Sequence, residues 1–223
     1  MTPSILIALG IVAVVLVATI WRFASRRESL PCPVWLSWLV ELDNPFTKTN
    51  RAAFIVDTLG LSPGMVVLDA GCGPGRLTVP LGQSVGPSGQ VVALDIQPAM
   101  LARAKIKAEA AGLTNVDFLN AALGGGRLPT NHFNRAVLVT VLGEIPNCTN
   151  ALAELFDSLK PGGVLAIVEV IFDPHFQSRR TVENLATSAG FRERAFFGTR
   201  LAYVIHFEKP DGCQQYAPAD VRP

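Results

Sequence analysis

The chain has 223 residues, enough for one domain of ordinary size beside a tail of about 30 residues. Its hydrophobic fraction of 49% and mean hydropathy of +0.35 are high for a soluble protein, and a net charge of +1 argues against a general nucleic-acid binder, which would show a basic face. The four cysteines, Cys32, Cys72, Cys148 and Cys213, share no metal-type spacing, so no metal site is expected, and they fit a reducing compartment.

The first element is apolar. Ile5 to Trp21 is seventeen residues without a charge, broken only by Gly10 and Thr19. As a helix it covers roughly 25 Å of a hydrocarbon core of about 30 Å, short but within the range of spanning helices. A secretory signal would carry cations before the apolar stretch; here Arg22, Arg26 and Arg27 follow it. That asymmetry predicts a single-pass membrane anchor over residues 1–30, with the N-terminus outside and the body in the cytoplasm. Residues 31–55 follow as an interfacial segment and lid. Trp35 and Trp38 suit the headgroup level or a helix packed on the domain, and Asn44 to Phe54 could form a lid over the domain that follows. A domain is expected over 56–209, with a tail over 210–223.

That domain opens on Val66-Val-Leu-Asp69-Ala-Gly71-Cys72-Gly73-Pro-Gly75, an apolar strand closed by an acid and followed by three alternating glycines. Glycines let a backbone turn sharply and approach a ligand at a helix N-terminus. The spacing departs from the dinucleotide fingerprint, because Arg76 stands where the third glycine belongs. Asp69 would also repel a pyrophosphate while attracting a cation. Asp95 closes a second apolar run, Gln90 to Asp95, twenty residues beyond Gly75, where a strand-end acid can accept ribose hydroxyls or cap the next helix. Further strand candidates are 115–119, 135–141, 164–171, 192–197 and 201–208. Pro98 to Ala111 reads as a surface helix, and Leu152, Leu155, Phe156 and Leu159 form a core-facing helical stripe. The alternation predicts a doubly wound, mostly parallel, seven-stranded Rossmann-like α/β sheet with an antiparallel last strand.

Leu68-Asp-Ala-Gly-Cys-Gly-Pro-Gly75, the Asp95 spacing and Leu159-Lys-Pro-Gly-Gly-Val-Leu165 together resemble class I S-adenosylmethionine-dependent methyltransferases over roughly residues 50–209. The resemblance implies S-adenosylmethionine as cofactor, held by Asp69, Gly71, Cys72, Gly73 and Gly75, with Asp95 on the ribose, Ile96 on the adenine and Thr140 at the end of the fourth strand. The family usually places an aspartate at Ala121 to accept the adenine amino group; Asn120 could substitute, or a backbone carbonyl. Cys72 reads as a small space-filler.

Methyl transfer is an in-line displacement that chiefly needs alignment. A neutral nucleophile also needs a base, which the loops after the fourth and fifth strands should carry. His175 is the first candidate, Glu144 the second, with Asp173 as a turn former and Tyr203 as a lining residue; a purely structural role stays open for His175. Thr140 to Pro146 lacks the Asn/Asp-Pro-Pro-aromatic sequence of many DNA and protein amine methyltransferases, which argues against a nucleic-acid acceptor. A domain tethered to the bilayer would most easily reach a lipophilic small acceptor: a phospholipid amine, a quinone precursor or a hydrophobic thiol. The core resembles quinone-pathway and phospholipid methyltransferases, and the layout membrane-anchored thiol methyltransferases. A soluble-metabolite methyltransferase and a non-catalytic cofactor-binding scaffold remain as alternatives.

Overall fold

The computed structural model describes residues 47–211 and, besides them, the exposed helical positions Ile5, Gly10 and Leu16. The expected anchor, its arginine flank, the Trp35 and Trp38 segment and the C-terminal tail from residue 212 otherwise lie outside the described residues. Among the described residues no helix is long and apolar enough to cross a membrane.

Strands β1 (Val66–Ala70), β2 (Gln90–Asp95), β3 (Val116–Asn120), β4 (Phe133–Val139), β5 (Leu159–Val170), β6 (Arg192–Gly198) and β7 (Ala202–Glu208) form one sheet in the order β3-β2-β1-β4-β5-β7-β6. The first five run parallel, and β7 is antiparallel to both its neighbours. Helices α1 (Ala52–Thr58), α2 (Thr78–Val85), α3 (Pro98–Ala110), α4 (Cys148–Ser158) and α5 (Arg179–Ser188) cover both faces, with 3-10 turns at Lys48–Asn50 and Leu142–Glu144. This is the doubly wound, seven-stranded arrangement expected from the alternation of elements.

The period of two along each strand builds two cores. Val67, Val137 and Val168 point to one face, against Ile55 of α1 and Leu81 and Val85 of α2. Their neighbours Leu68, Leu138 and Ile167 point to the other, against Leu152 and Leu155 of α4 and Val182 and Ala186 of α5. Because both faces are covered, the central strands read as unbroken apolar runs. Truncating a fully buried leucine such as Leu155 to Ala would cost about 2–5 kcal/mol. Helix α4 starts where Asn147 accepts the Asn150 N–H at 3.0 Å, a side-chain cap.

Two boundaries differ from the expected ones by more than two residues. Strand β5 begins at Leu159 rather than 164, because Leu159 already pairs with Phe133 at the foot of β4. The Pro-Gly-Gly turn is absorbed as an irregularity in which Gly162 takes φ +70° and donates its N–H to the Lys209 carbonyl. The folded body also begins before residue 56, since α1 inserts the fully buried Ile55 and Leu59 follows it, four residues on, at 2% exposure. A seven-residue helix is too short for a periodic stripe to announce it.

Candidate active site

The carboxyl ends of β1 and β2 carry the glycine loop. Gly71 and Cys72 both donate their N–H groups to the Leu94 carbonyl, at 2.7 and 2.9 Å, which pins the loop across the end of β2. Gly73 donates to Asp95 Oδ2 at 2.9 Å, and Gln97 N–H to Asp95 Oδ1 at 2.8 Å. Asp95 therefore ties loop to strand, while Gln97 occupies the cap position of α3 without a side-chain capping bond to the helix. Each carboxylate oxygen retains a further lone pair for a hydroxyl.

The three glycines have different tasks although all take positive φ. A Cβ on Gly71 would lie 2.5 Å from Val141 Cγ2, and one on Gly75 2.9 Å from the Ala104 Cα, so both allow close packing. A Cβ on Gly73 meets nothing within 4 Å. The open side of the loop is thus at Gly73, beside two strand-end acids.

Asp69 is 3% exposed, and its Oδ2 accepts from Thr78 Oγ1 at 2.7 Å. Burial pushes its carboxyl up to about 6, against the pull of the Thr78 bond, with the Asp95 charge adding to the rise and Arg76 opposing it. Burial likewise raises Asp95, against the backbone N–H groups of Gln97 and Gly73. Two carboxyls that ionise at a cost in one small site favour a cation. Burial, with Asp69 and Asp95 beside it, raises the Cys72 thiol so far that it carries no thiolate, in keeping with a space-filling role.

Ile96, immediately after β2, stands 58% exposed, an apolar face on the same edge. Asn120 at the end of β3 donates its amide to the carbonyls of Asp95 and Ile96, at 2.9 and 3.0 Å. Those two bonds spend the NH2 group and leave Oδ1 as the side-chain acceptor beside Ala121, whose own N–H goes to the Asp95 carbonyl at 3.3 Å. Thr140 takes φ +54°, a left-handed conformation that a β-branched residue rarely adopts, while its N–H bonds the Val168 carbonyl at 2.8 Å. The residues at this edge suit the cofactor expected from the sequence: an acidic pair for a cation, an open glycine, an apolar face and an amide oxygen.

The second half of the site lies at the ends of β4 and β5 and meets the first where Gly71 packs on Val141. His175 is 4% exposed, with Nδ1 at 3.8 Å from Glu144 Oε1 and 3.9 Å from Asp173 Oδ1. Its Nε2 is buried without a hydrogen-bond partner. Asp173 also shapes the turn, accepting the His175 N–H at 2.7 Å. Gly143 allows the two loops to touch, since a Cβ there would collide with the His175 carbonyl.

The sequence reading singled out neither Glu169 nor Gln177. Glu169 is 1% exposed; Oε2 accepts the Gln177 N–H at 2.9 Å, and Oε1 is buried without a partner. Burial first, then the charges of Asp173 and Glu144, against the bond from Gln177, push its carboxyl up to about 8. Gln177 also donates its amide to the His175 carbonyl at 3.0 Å and accepts the Tyr203 hydroxyl at 2.8 Å. The His175 loop is therefore held from three sides. Tyr203 is fully buried and acts here as a strut. At the entry to the domain, Arg76 donates to the Asn50 carbonyl and side chain at 2.8 and 3.2 Å, joining the segment before α1 to the glycine loop.

Residues 61–197 match the model of a family described as a methyltransferase domain. Among curated relatives, the ubiquinone/menaquinone biosynthesis C-methyltransferase of Shewanella pealeana is 35% identical over 117 residues, 52% of this chain and 47% of that protein. The enzyme of the same name from Vibrio vulnificus is 34% identical over 125 residues, 54% and 48% of the two chains. The chain spans about half the length of the curated relatives it matches. A SAM-dependent methyltransferase from Aquifex aeolicus superposes with a TM-score of 0.70 at 24% identity, over 80% of this chain and 99% of that one. The cyclase SpnF superposes at 0.65 with 18% identity, over 72% and 80% of the chains. These likenesses show the fold alone.

Proposed function

The chain belongs to the methyltransferase-domain family, and from that premise we propose that it transfers the methyl of S-adenosylmethionine to a lipophilic, quinone-type small acceptor at a membrane surface. The observation that carries the reading is the meeting of two half-sites at Gly71 and Val141, one acidic and open, the other centred on a buried imidazole.

S-adenosylmethionine supplies an activated methyl group on a sulfonium. The strand-end acids Asp69 and Asp95 hold the cationic and hydroxyl groups, Gly73 gives the ligand room, Ile96 covers an apolar ring, and Asn120 Oδ1 accepts from an exocyclic amine. His175 Nε2 takes the proton that a ring carbon or its hydroxyl must give up when the new bond forms. Glu144 and Asp173, both within 4 Å of Nδ1, stabilise the imidazolium that results. Gln177 holds the backbone carbonyl of the residue that carries the imidazole.

A quinone-type acceptor is supported by the names of the relatives, and a membrane location by the uncharged stretch from Ile5 to Trp21 with three arginines on its inner side. The test is to incubate the full chain with membrane lipid extract and methyl-labelled S-adenosylmethionine, then fractionate the products. Label in the quinone or quinol fraction is expected. Label only in water-soluble metabolites, or uptake of a nicotinamide nucleotide in place of the sulfonium, would overturn the reading.

A further inference from the structure

Within the described domain four large apolar side chains stand exposed: Ile96, Ile106, Phe172 and Leu201. Ile96 is accounted for by the cofactor edge. Ile106 lies on the outer face of α3. Phe172 and Leu201, exposed to 72% and 58%, come from different parts of the chain and are brought to one corner by the bond from Ile171 N–H to the Leu201 carbonyl at 2.7 Å. That corner is at the carboxyl edge of the sheet. Val170 at the end of β5 pairs with Ala202 at the start of β7, so the turn over 199–201 stands beside the loop that carries His175.

The chain enters the domain at the same corner. Thr49, in the first 3-10 turn, packs so closely on Gly198 that a Cβ there would lie 2.9 Å from its Cγ2, and Arg76 fastens the next residue, Asn50, to the glycine loop. Lys48 and Arg200 are exposed cations on this side. The segment that leads away from Thr47 ends in the uncharged run Ile5 to Trp21 and its arginines. Nineteen residues lie between Arg27 and Thr47, a reach of up to roughly 70 Å if extended, so such a tether alone would leave the domain free to turn. Two exposed apolar side chains beside two cations, at the point of tethering, match the chemistry of an anionic lipid surface.

We propose that Phe172 and Leu201, flanked by Lys48 and Arg200, seat the carboxyl edge of the sheet on an anionic bilayer and so turn the acceptor half of the site toward the lipid. This rests on the membrane-surface reading above and adds an orientation to it. The acceptor then passes from the bilayer to the His175 loop without crossing bulk water, and Phe172, three residues before His175, marks the threshold.

The full chain, reconstituted in vesicles of phosphatidylcholine and phosphatidylglycerol, carries photoreactive benzoylphenylalanine at Phe172, at Leu201 or, as control, at Ile106. All three positions are exposed, so the fold tolerates the label. Illumination is expected to give lipid adducts from positions 172 and 201 several-fold above those from 106, and fewer adducts when phosphatidylglycerol is left out. A chain that floats with the vesicles but labels lipid equally from all three positions, or links chiefly to a second copy of itself, overturns the orientation. A chain that does not float overturns the anchoring as well. S-adenosylmethionine binding, measured by calorimetry on the same preparation, reports on the methyltransferase reading separately.

Discussion

Replacing Asp69 by Asn should make the ligand-free protein more stable above neutrality while weakening its hold on S-adenosylmethionine. The carboxyl is 3% exposed and raised from its ordinary 3.8 to about 6, first by loss of hydration. A raised carboxyl means that the folded state prefers the neutral form. Its penalty is absent below pH 3.8, grows as the pH rises, and is complete above about 6. At about 1.4 kcal/mol for each tenfold change, that gap is worth roughly 3 kcal/mol. Asn keeps an oxygen for the Thr78 hydroxyl and removes the charge, so Asp69→Asn should raise stability by about 2–3 kcal/mol at pH 8, roughly 5–10 °C in Tm, and by almost nothing at pH 4. Cofactor affinity at pH 8 should fall about tenfold or more, as expected for loss of an opposite charge in a poorly solvated site. Scanning calorimetry of both proteins from pH 4 to 8.5, with titration calorimetry at pH 8, checks both arms. A variant less stable at pH 8, or a gain that does not depend on pH, would refute the reasoning.

Glu169→Gln should stabilise the protein with the same sign and a higher window: the gain grows from nothing near pH 4.5 to on the order of 5 kcal/mol above pH 8, read as the alkaline limb of a Tm profile. Gly73→Ala should cost only about 1 kcal/mol, the strain of its left-handed backbone, yet lower cofactor affinity, since the new methyl enters the ligand's space. Gly75→Ala must displace the backbone of α3 and should cost about 3 kcal/mol or more by urea unfolding. His175→Ala should lower methyl transfer by about 100-fold or more while leaving S-adenosylmethionine affinity unchanged; a drop in both would make the residue structural.

Much of this was legible because the sheet is buried on both faces. Gln90 to Asp95 and Val66 to Asp69 are apolar runs that end in an acid, and the acid marks the carboxyl edge of the sheet. Glu169 carries a weaker form of the same signal after Val164-Leu-Ala-Ile-Val168, because Val170 and Ile171 continue the apolar run past it. Helix α1 stayed hidden because seven residues hold too little period, and the early start of β5 because a proline and two glycines read as a turn when they form a bulge inside the ladder. Gln177 gave no sequence sign, since its role is made by backbone groups that only the folded loops bring together. At Ala121 the missing acid is a local substitution, and what Asn120 does beside it is set by the carbonyls of Asp95 and Ile96 at the end of β2.

The strand order has a consequence for how the molecule is made. β7, the last strand of the sheet in sequence, is not at its rim but wedged between β5 and β6, and it brings Tyr203, Ile205 and Phe207 into the interior with no exposure at all. On the ribosome the open flank of β5 must therefore wait until residue 208 has cleared the exit tunnel, with its apolar ladder bare throughout. Nascent chains stalled before that point should be aggregation-prone clients of chaperones, and the loops at the carboxyl edge of the sheet should gain their shape only as synthesis of the domain finishes.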